Sequence, residues 1–400
     1  MLRPIFIACG TPFCKGVRTQ NSGTLVGFFD VGIVCANHPA SDVAGKIFQM
    51  TSSSESRYGM SDRIDFGGGA RAVFQRENGL SSNGVVFCEG GQLFERQAVV
   101  GPSHPHMGKL MTGRGYDFCA DYVGPLVFSR QWAGRTSAHL GESDNLYNSS
   151  CITNTAMYTT SLVNGLLLSS ANIFGNPASS TGGAGFAKDH QYTVGACYQN
   201  GPAAAAAPYL EVNQPTTAGD MAGCNESGTA AGDYVNLRNI FSNPVIRQKA
   251  LASGANYTRR PRMAGLAHSP VDFSHADYTS FRLPICEARI RYVFAAEFPV
   301  GLELTNTDGY ADGGNSLGKS AVRNPSSQIN PGRHRRLSKY TSFHGISSRA
   351  KLSWRYDTSR YLQHEQFPRS MGSSRSGVAL GMRSRMQLSP VSQPAKCRSV

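Results

Sequence analysis

The 400-residue sequence predicts a mainly β protein, an antiparallel β-sandwich of jelly-roll type with long Gly/Ser/Ala-rich loops and few short helices. Three observations predict it. Only 16% of residues are charged, against about 25% in ordinary globular chains, while 44 glycines and 44 serines favour turns over helices. Short β-favouring runs recur at close spacing with turn residues between them, the mark of a sandwich or barrel. The charge is also placed unevenly: 319–400 holds 16 Lys and Arg against Asp357 and Glu365, a net +14. Residues 1–318 hold 23 basic and 24 acidic groups and are about neutral. The domain reading is therefore a near-neutral β-rich body over 1–318, with a candidate division near 101–115, and a basic, partly disordered C-terminal arm over 319–400.

Residues 23–35 form an apolar run broken by Gly27 and Gly32. Each glycine would cost a helix about 1 kcal/mol, so a buried strand pair is expected. Strand pieces follow at 72–74, 85–88, 93–94 and 98–100, separated by Asn78-Gly79 and Gly90-Gly91. Residues 101–115 read as a connection, and strand character resumes at 122–123 and 126–128. Around Asn164-Gly165, Thr- and Tyr-rich flanks predict a hairpin, because that dipeptide suits a tight turn with two positive φ angles. Two low-complexity stretches, 175–185 and 201–232, read as long surface loops on either side of strand-like 192–194.

Residues 243–254 carry the signals of a helix: Asn243 to cap, Pro244 in the first turn and Gly254 to terminate. Between 288 and 298, Ala288, Ile290, Tyr292 and Phe294 alternate with Arg289, Arg291 and Val293, a strand expected to turn one face inward. Residues 305–314 are turn-rich. In the arm, 351–357 alternates with Leu352, Trp354 and Tyr356 on one face, while 370–400 has the composition of a disordered segment.

Several motifs bear on chemistry. Residues 313–320 match G-x-x-x-x-G-K-S, in which glycine amides wrap phosphates and the Lys and Ser reach phosphate and magnesium. The flanks lack the strand before and helix after, and Asn324-Pro325 stops a helix within a turn, so the context fails the motif. His104 and His106 flank a proline without a carboxylate partner nearby in sequence. Ten cysteines stand singly without CxxC spacing, so most are expected as buried small hydrophobes. No Gly-x-Ser-x-Gly nucleophile setting occurs. The expectation is a non-enzyme with no cofactor and no metal site.

The basic segment carries the functional expectation. Arg333, Arg335, Arg336, Lys339, Arg349, Lys351, Arg355 and Arg360 are interleaved with Trp354 and Tyr356. Cations neutralise phosphates and aromatics stack on bases, so these residues are expected to bind nucleic acid. Arg259, Arg260 and Arg262 would extend the same surface from the body. Residues 4–9 are too short for a signal-peptide core, and no apolar run is long enough to span a bilayer as a helix. The sequence thus predicts a self-assembling shell subunit of a viral or phage particle, partnered by its own copies and by nucleic acid, without a membrane, in a virion or intracellular assembly. The alternatives are a nucleic-acid-binding component of a ribonucleoprotein assembly and a nucleotide-dependent enzyme using 313–320.

Overall fold

The structure, a computed structural model, describes residues 24–37, 46–51, 56–80, 93–133, 139, 143–147, 151–174, 191–213, 245–276, 278–295, 298–312, 322–338, 340–352 and 374–387. Its strand segments are β1 (Thr24–Asn37), β2 (Lys46–Thr51), β3 (Ser56–Gly67), β4 (Ala70–Leu80), β5 (Gln97–His104), β6 (Gly108–Gly115), β7 (Ile152–Thr159), β8 (Leu166–Ile173) and β9 (Gln191–Asn200). The second half comprises β10 (Ala203–Asn213), β11 (Val245–Leu251), β12 (Ser253–Arg259), β13 (Arg262–His275), β14 (Ser280–Ala295), β15 (Phe298–Asp312), β16 (Val322–Arg336), β17 (Thr341–Leu352) and β18 (Ser374–Gln387).

All eighteen segments belong to one antiparallel sheet. β2 and β3 both pair with β1, and β11 and β12 both pair with β10 and β13, so each couple fills a single position and sixteen positions remain. β18 pairs with β1, from Val26 opposite Gln387 to Ala36 opposite Gly377. The sheet closes on itself and has no edge to protect. The mainly β expectation with few helices holds. The sandwich does not, because one closed sheet replaces two packed ones.

Closure explains the other departures. Ser374–Gln387, expected as part of a disordered arm, is the strand that completes the ring, and β15 and β16 are neighbours across the charge boundary at 318. Of residues 243–254, expected as a helix, 243–244 lie outside the described residues, while 245–251 form β11 and 253–254 open β12: their amides are taken by β10 and β13 ladders, which outweigh local capping signals. Residues 24–35 lie in one long strand, and 101–115 is a hairpin turning at Pro105–Met107. The five alanines expected in a loop run along β10. At Asn164-Gly165 the hairpin forms as predicted, with φ of 49° and 84°.

Side chains alternate between the inner and outer faces, and the apolar set points out. On β14, Ile290 and Phe294 are 60% and 69% exposed, while Glu287 and Arg289 are each 2% exposed on the inside. The period of two was legible, but the face was reversed. Leu266 and Leu304 on the neighbouring strands, and Val31 and Leu380 on β1 and β18, continue the outward apolar band. Such a band far exceeds the few hundred Å² that a water-exposed surface carries. Exposed Tyr158, Tyr198, Tyr257, Tyr292 and Tyr340 lie toward the end with short turns, and Tyr192 and Tyr310 toward the other. An apolar band between two aromatic girdles is the outer surface of a barrel solvated by hydrocarbon. This overturns the expectation of no membrane, which rested on helix-length apolar runs; a strand crosses with about ten alternating residues.

Candidate functional site

Between β6 and β7 the chain turns into the barrel lumen. Expected as strands, 122–123 and 126 lie instead in short helical turns over Cys119–Val123 and Gly124–Leu126, and 127–128 link these to a third turn over Ser129–Ala133. Phe118, Tyr122, Val123, Leu126 and Val127 pack against Leu167, Leu210, Val271, Phe281 and Ile285 on the inner wall. That wall is thinned where the segment lies on it. A Cβ at Gly195 would sit 3.0 Å from Tyr122 Cδ2, one at Gly254 3.2 Å from Val123 Cγ1, and one at Gly301 2.9 Å from Phe128 Cε2. Ala204 and Ala206 of β10 complete this low stretch of wall. Glycines that read as helix breakers are thus the seats of an inserted segment.

Polar contacts hold the segment down. The Phe128 N–H donates to Glu287 Oε1 at 3.0 Å, and Glu287 also pairs with Arg289 on its own strand. His139 bridges Asp144, at 2.6 Å from Nδ1, and Glu287, at 3.1 Å from Nε2. Ser269 donates to Asp144, and Gln248 Nε2 donates to Ser143 O at 2.7 Å. Burial alone would draw the His139 pKa down, but its two carboxylates lift it well above the ordinary histidine value. Burial likewise opposes ionisation of Asp144, yet His139 and the Ser269 and Leu146 hydrogen bonds hold its pKa below normal. Asp117, buried under Asn145 and the Ala120 amide, is pushed up to about 6 by desolvation.

Across from the segment the inner face is basic. Arg63, Arg71 and Lys109 line a lumen cavity of about 250 Å³ together with Tyr116 and Asp121 of the inserted segment. Arg57 lies 4.8 Å from the Phe28 ring centroid and Arg383 lies 5.5 Å from the same ring. Arg383 Nε donates to Asp30 Oδ2 at 2.8 Å, and Arg57 stands 3.6 Å from Glu77. Arg96 holds Glu77 at 3.2 Å and donates to Tyr116 OH at 2.9 Å. The inserted segment and this wall together narrow the lumen, and solute passing through meets guanidinium and ammonium groups.

The sequence-predicted residues are elsewhere. Arg333 and Arg335 point outward on β16, Arg336 ends that strand, and Arg349 points outward on β17. Lys351 lies at the end of β17, while Lys339, Trp354, Arg355, Tyr356 and Arg360 lie outside the described residues, as does the 313–320 motif. Arg333 and Arg335 share one groove; Arg349 borders another. The lumen residues were missed although a signal existed: Arg383 and Arg385 alternate with Met382 and Met386, an amphipathic strand in a segment read as disordered. Cys151 and Cys197 are disulfide-bonded, whereas Cys35, Cys119 and Cys286 are free.

The comparisons agree with this geometry. The sequence profile of the Gram-negative porin family matches residues 16–281. An outer membrane porin protein of Bordetella pertussis is 29% identical over 220 residues, 50% of this chain and 57% of that protein, so the chain spans little more than half the length of this curated relative. Among solved structures, the anion-selective porin from Comamonas acidovorans superposes with a TM-score of 0.67 at 17% identity, covering 92% of this chain and 100% of that one. OmpT, an outer membrane protein of Vibrio cholerae, gives 0.61 at 11% identity, covering 94% and 100%. These two likenesses bear on the fold. The family match overturns the particle-shell expectation together with its virion location and nucleic-acid partner, and equally the ribonucleoprotein and nucleotide-enzyme alternatives. The chain belongs to the Gram-negative porin family.

Proposed function

We propose that this porin is a passive diffusion channel of the bacterial outer membrane that favours small anions. The observation that carries the reading is the basic inner wall facing the inserted segment, with Arg63, Arg71 and Lys109 around one cavity and Arg57 and Arg383 beside it. A unit charge about 7 Å from an ion contributes roughly 0.6 kcal/mol in water-like dielectric, so a net excess of two or three positive charges along the wall favours an anion by about 1–2 kcal/mol, roughly five- to thirty-fold. Carboxylates offset part of this: Asp30 and Glu77 are held by arginines, Asp65 stands 3.3 Å from Arg71, and Asp62 and Asp121 line the same cavity. The anion-selective character of the Comamonas porin accords with the reading. Channels conduct without chemistry, in keeping with the non-enzyme expectation.

The test is the zero-current potential of the purified channel in a planar bilayer across a KCl gradient. Its sign should report chloride permeating faster than potassium, and the double variant R63E/K109E should move it toward potassium. A cation-favouring wild type would overturn the reading.

A further inference from the structure

The outer wall carries two arginines that the pore does not use. Arg333 and Arg335 alternate on β16 with inward-facing residues, so their side chains leave the same face about 7 Å apart. Both are exposed, and neither takes part in an ion pair among the described residues. They border a groove of about 620 Å³ whose other walls are mainly apolar, Phe343, Leu380 and Met382 with Val31 and Ile33, and His344 the one further polar side chain. Gly345 opens it. A Cβ there would stand 3.0 Å from Leu380 Cδ2 and 3.9 Å from Arg333 Cγ, so the missing side chain leaves the cleft beside the guanidinium.

Depth along the barrel selects the occupant. The strands run between one end with short turns, at 105–107, 201–202 and 260–261, and another with longer connections such as 81–96, 116–151 and 214–244. In outer-membrane barrels the short turns face the periplasm. Arg333 and Arg335 lie just before the 337–340 turn, beside exposed Tyr340 and Phe343 of the aromatic girdle at that end. They are therefore at the headgroup level of the periplasmic leaflet. A planar fork of donors there matches phosphate oxygens, and the cleft running from it up the apolar wall matches an acyl chain.

We infer that Arg333 and Arg335 with the Gly345 cleft form a binding site for one anionic glycerophospholipid of the periplasmic leaflet. The phosphate is held between the guanidiniums and an acyl chain lies along Phe343, Leu380 and Met382. The inference rests on the outer-membrane reading for its orientation. The residues first read as phosphate-binding on a nucleic acid thus keep their chemistry and change their partner.

The experiment is native mass spectrometry of the full chain in mild detergent, titrated separately with phosphatidylglycerol, phosphatidylethanolamine and inorganic phosphate. The zero-current potential of each variant is measured in parallel. A saturable single phosphatidylglycerol adduct is expected, at least about fivefold more occupied than phosphatidylethanolamine and not displaced by phosphate. R333Q/R335Q should lose that preference, and G345L, which fills the cleft but keeps both charges, should lower occupancy by both lipids. Equal phosphatidylglycerol occupancy in wild type and R333Q/R335Q overturns the inference, as does displacement by phosphate, or a groove closed to lipid by a second copy of the chain. Because neither variant touches the lumen, an unchanged zero-current potential separates failure of the lipid site from failure of the channel reading.

Discussion

His139 Nε2 lies 3.1 Å from Glu287 Oε2, joining the inserted segment to the inner wall of β14 across 148 positions of sequence. The same carboxylate accepts the Phe128 amide and pairs with Arg289, so one side chain ties two points of the segment to the barrel. Breaking a buried pair on one side leaves the other charge uncompensated, at a cost of about 3–5 kcal/mol. E287Q is expected to loosen the segment without opening the sheet. Single-channel recordings should then show larger and noisier current steps than wild type, while circular dichroism keeps the β signature. Steady wild-type steps would show that the Gly and Ala seats alone hold the segment.

The pH dependence of that tether has a definite sign. His139 has a raised pKa, so its contribution is complete below about 6.5 and lost as pH rises through the raised value. Asp144 has a lowered pKa, so its contribution is present above about 3.8 and lost as pH falls through the lowered value. Asp117, raised to about 6, stabilises below 3.8 and loses that contribution as pH climbs through about 6. Thermal stability is thus expected to fall as pH rises. D117N should remove the part of the decline between about 3.8 and 6, and an unchanged profile in D117N would refute the assignment.

Gly195 tests whether the wall is thinned to seat the segment. A Cβ there meets Tyr122 and Phe118 at 3.0 and 3.1 Å, so G195V should push the segment toward the basic wall and lower conductance. A control at Gly201, whose Cβ would meet nothing within 4 Å, isolates the steric effect, although its φ of 54° makes G201N the fitting replacement. Equal conductance in G195V and wild type would show that the segment yields elsewhere.

The two faces of the barrel should answer a charge in opposite ways. Ile290 is outward and 60% exposed, so I290R places a cation in the lipid band and should destabilise the folded barrel by about 2–4 kcal/mol if it lies near mid-depth. K109E, in the lumen, should leave stability nearly unchanged and shift ion preference. Denaturant unfolding in detergent or vesicles, together with the zero-current potential, measures both effects. A stable I290R barrel would contradict the lipid-facing assignment.

The alternation at 288–294 was visible in the sequence, and so was the hairpin at Asn164-Gly165, because both depend on neighbouring residues alone. The basic content of the last strands was visible too. Its meaning was not: Arg383 faces Asp30 only because β18 meets β1, a pairing between residues 353 positions apart. The inward course of 116–133 was hidden for the same reason, since its apolar residues read as strand until their partners on β8–β14 are in place.

From the sequence alone came the β class, the period of two, the scarcity of helix and a tight turn whose dipeptide demands positive φ. Which face is wet was decided only by closure of the sheet. Alternation specifies two chemically different faces, but water fills the inside and hydrocarbon bathes the outside only once β18 has sealed the ring. The same closure turned residues of an expected arm into a wall, made strands of 245–251 and 253–254 by claiming their amides, and gathered arginines from distant strands around one aqueous path.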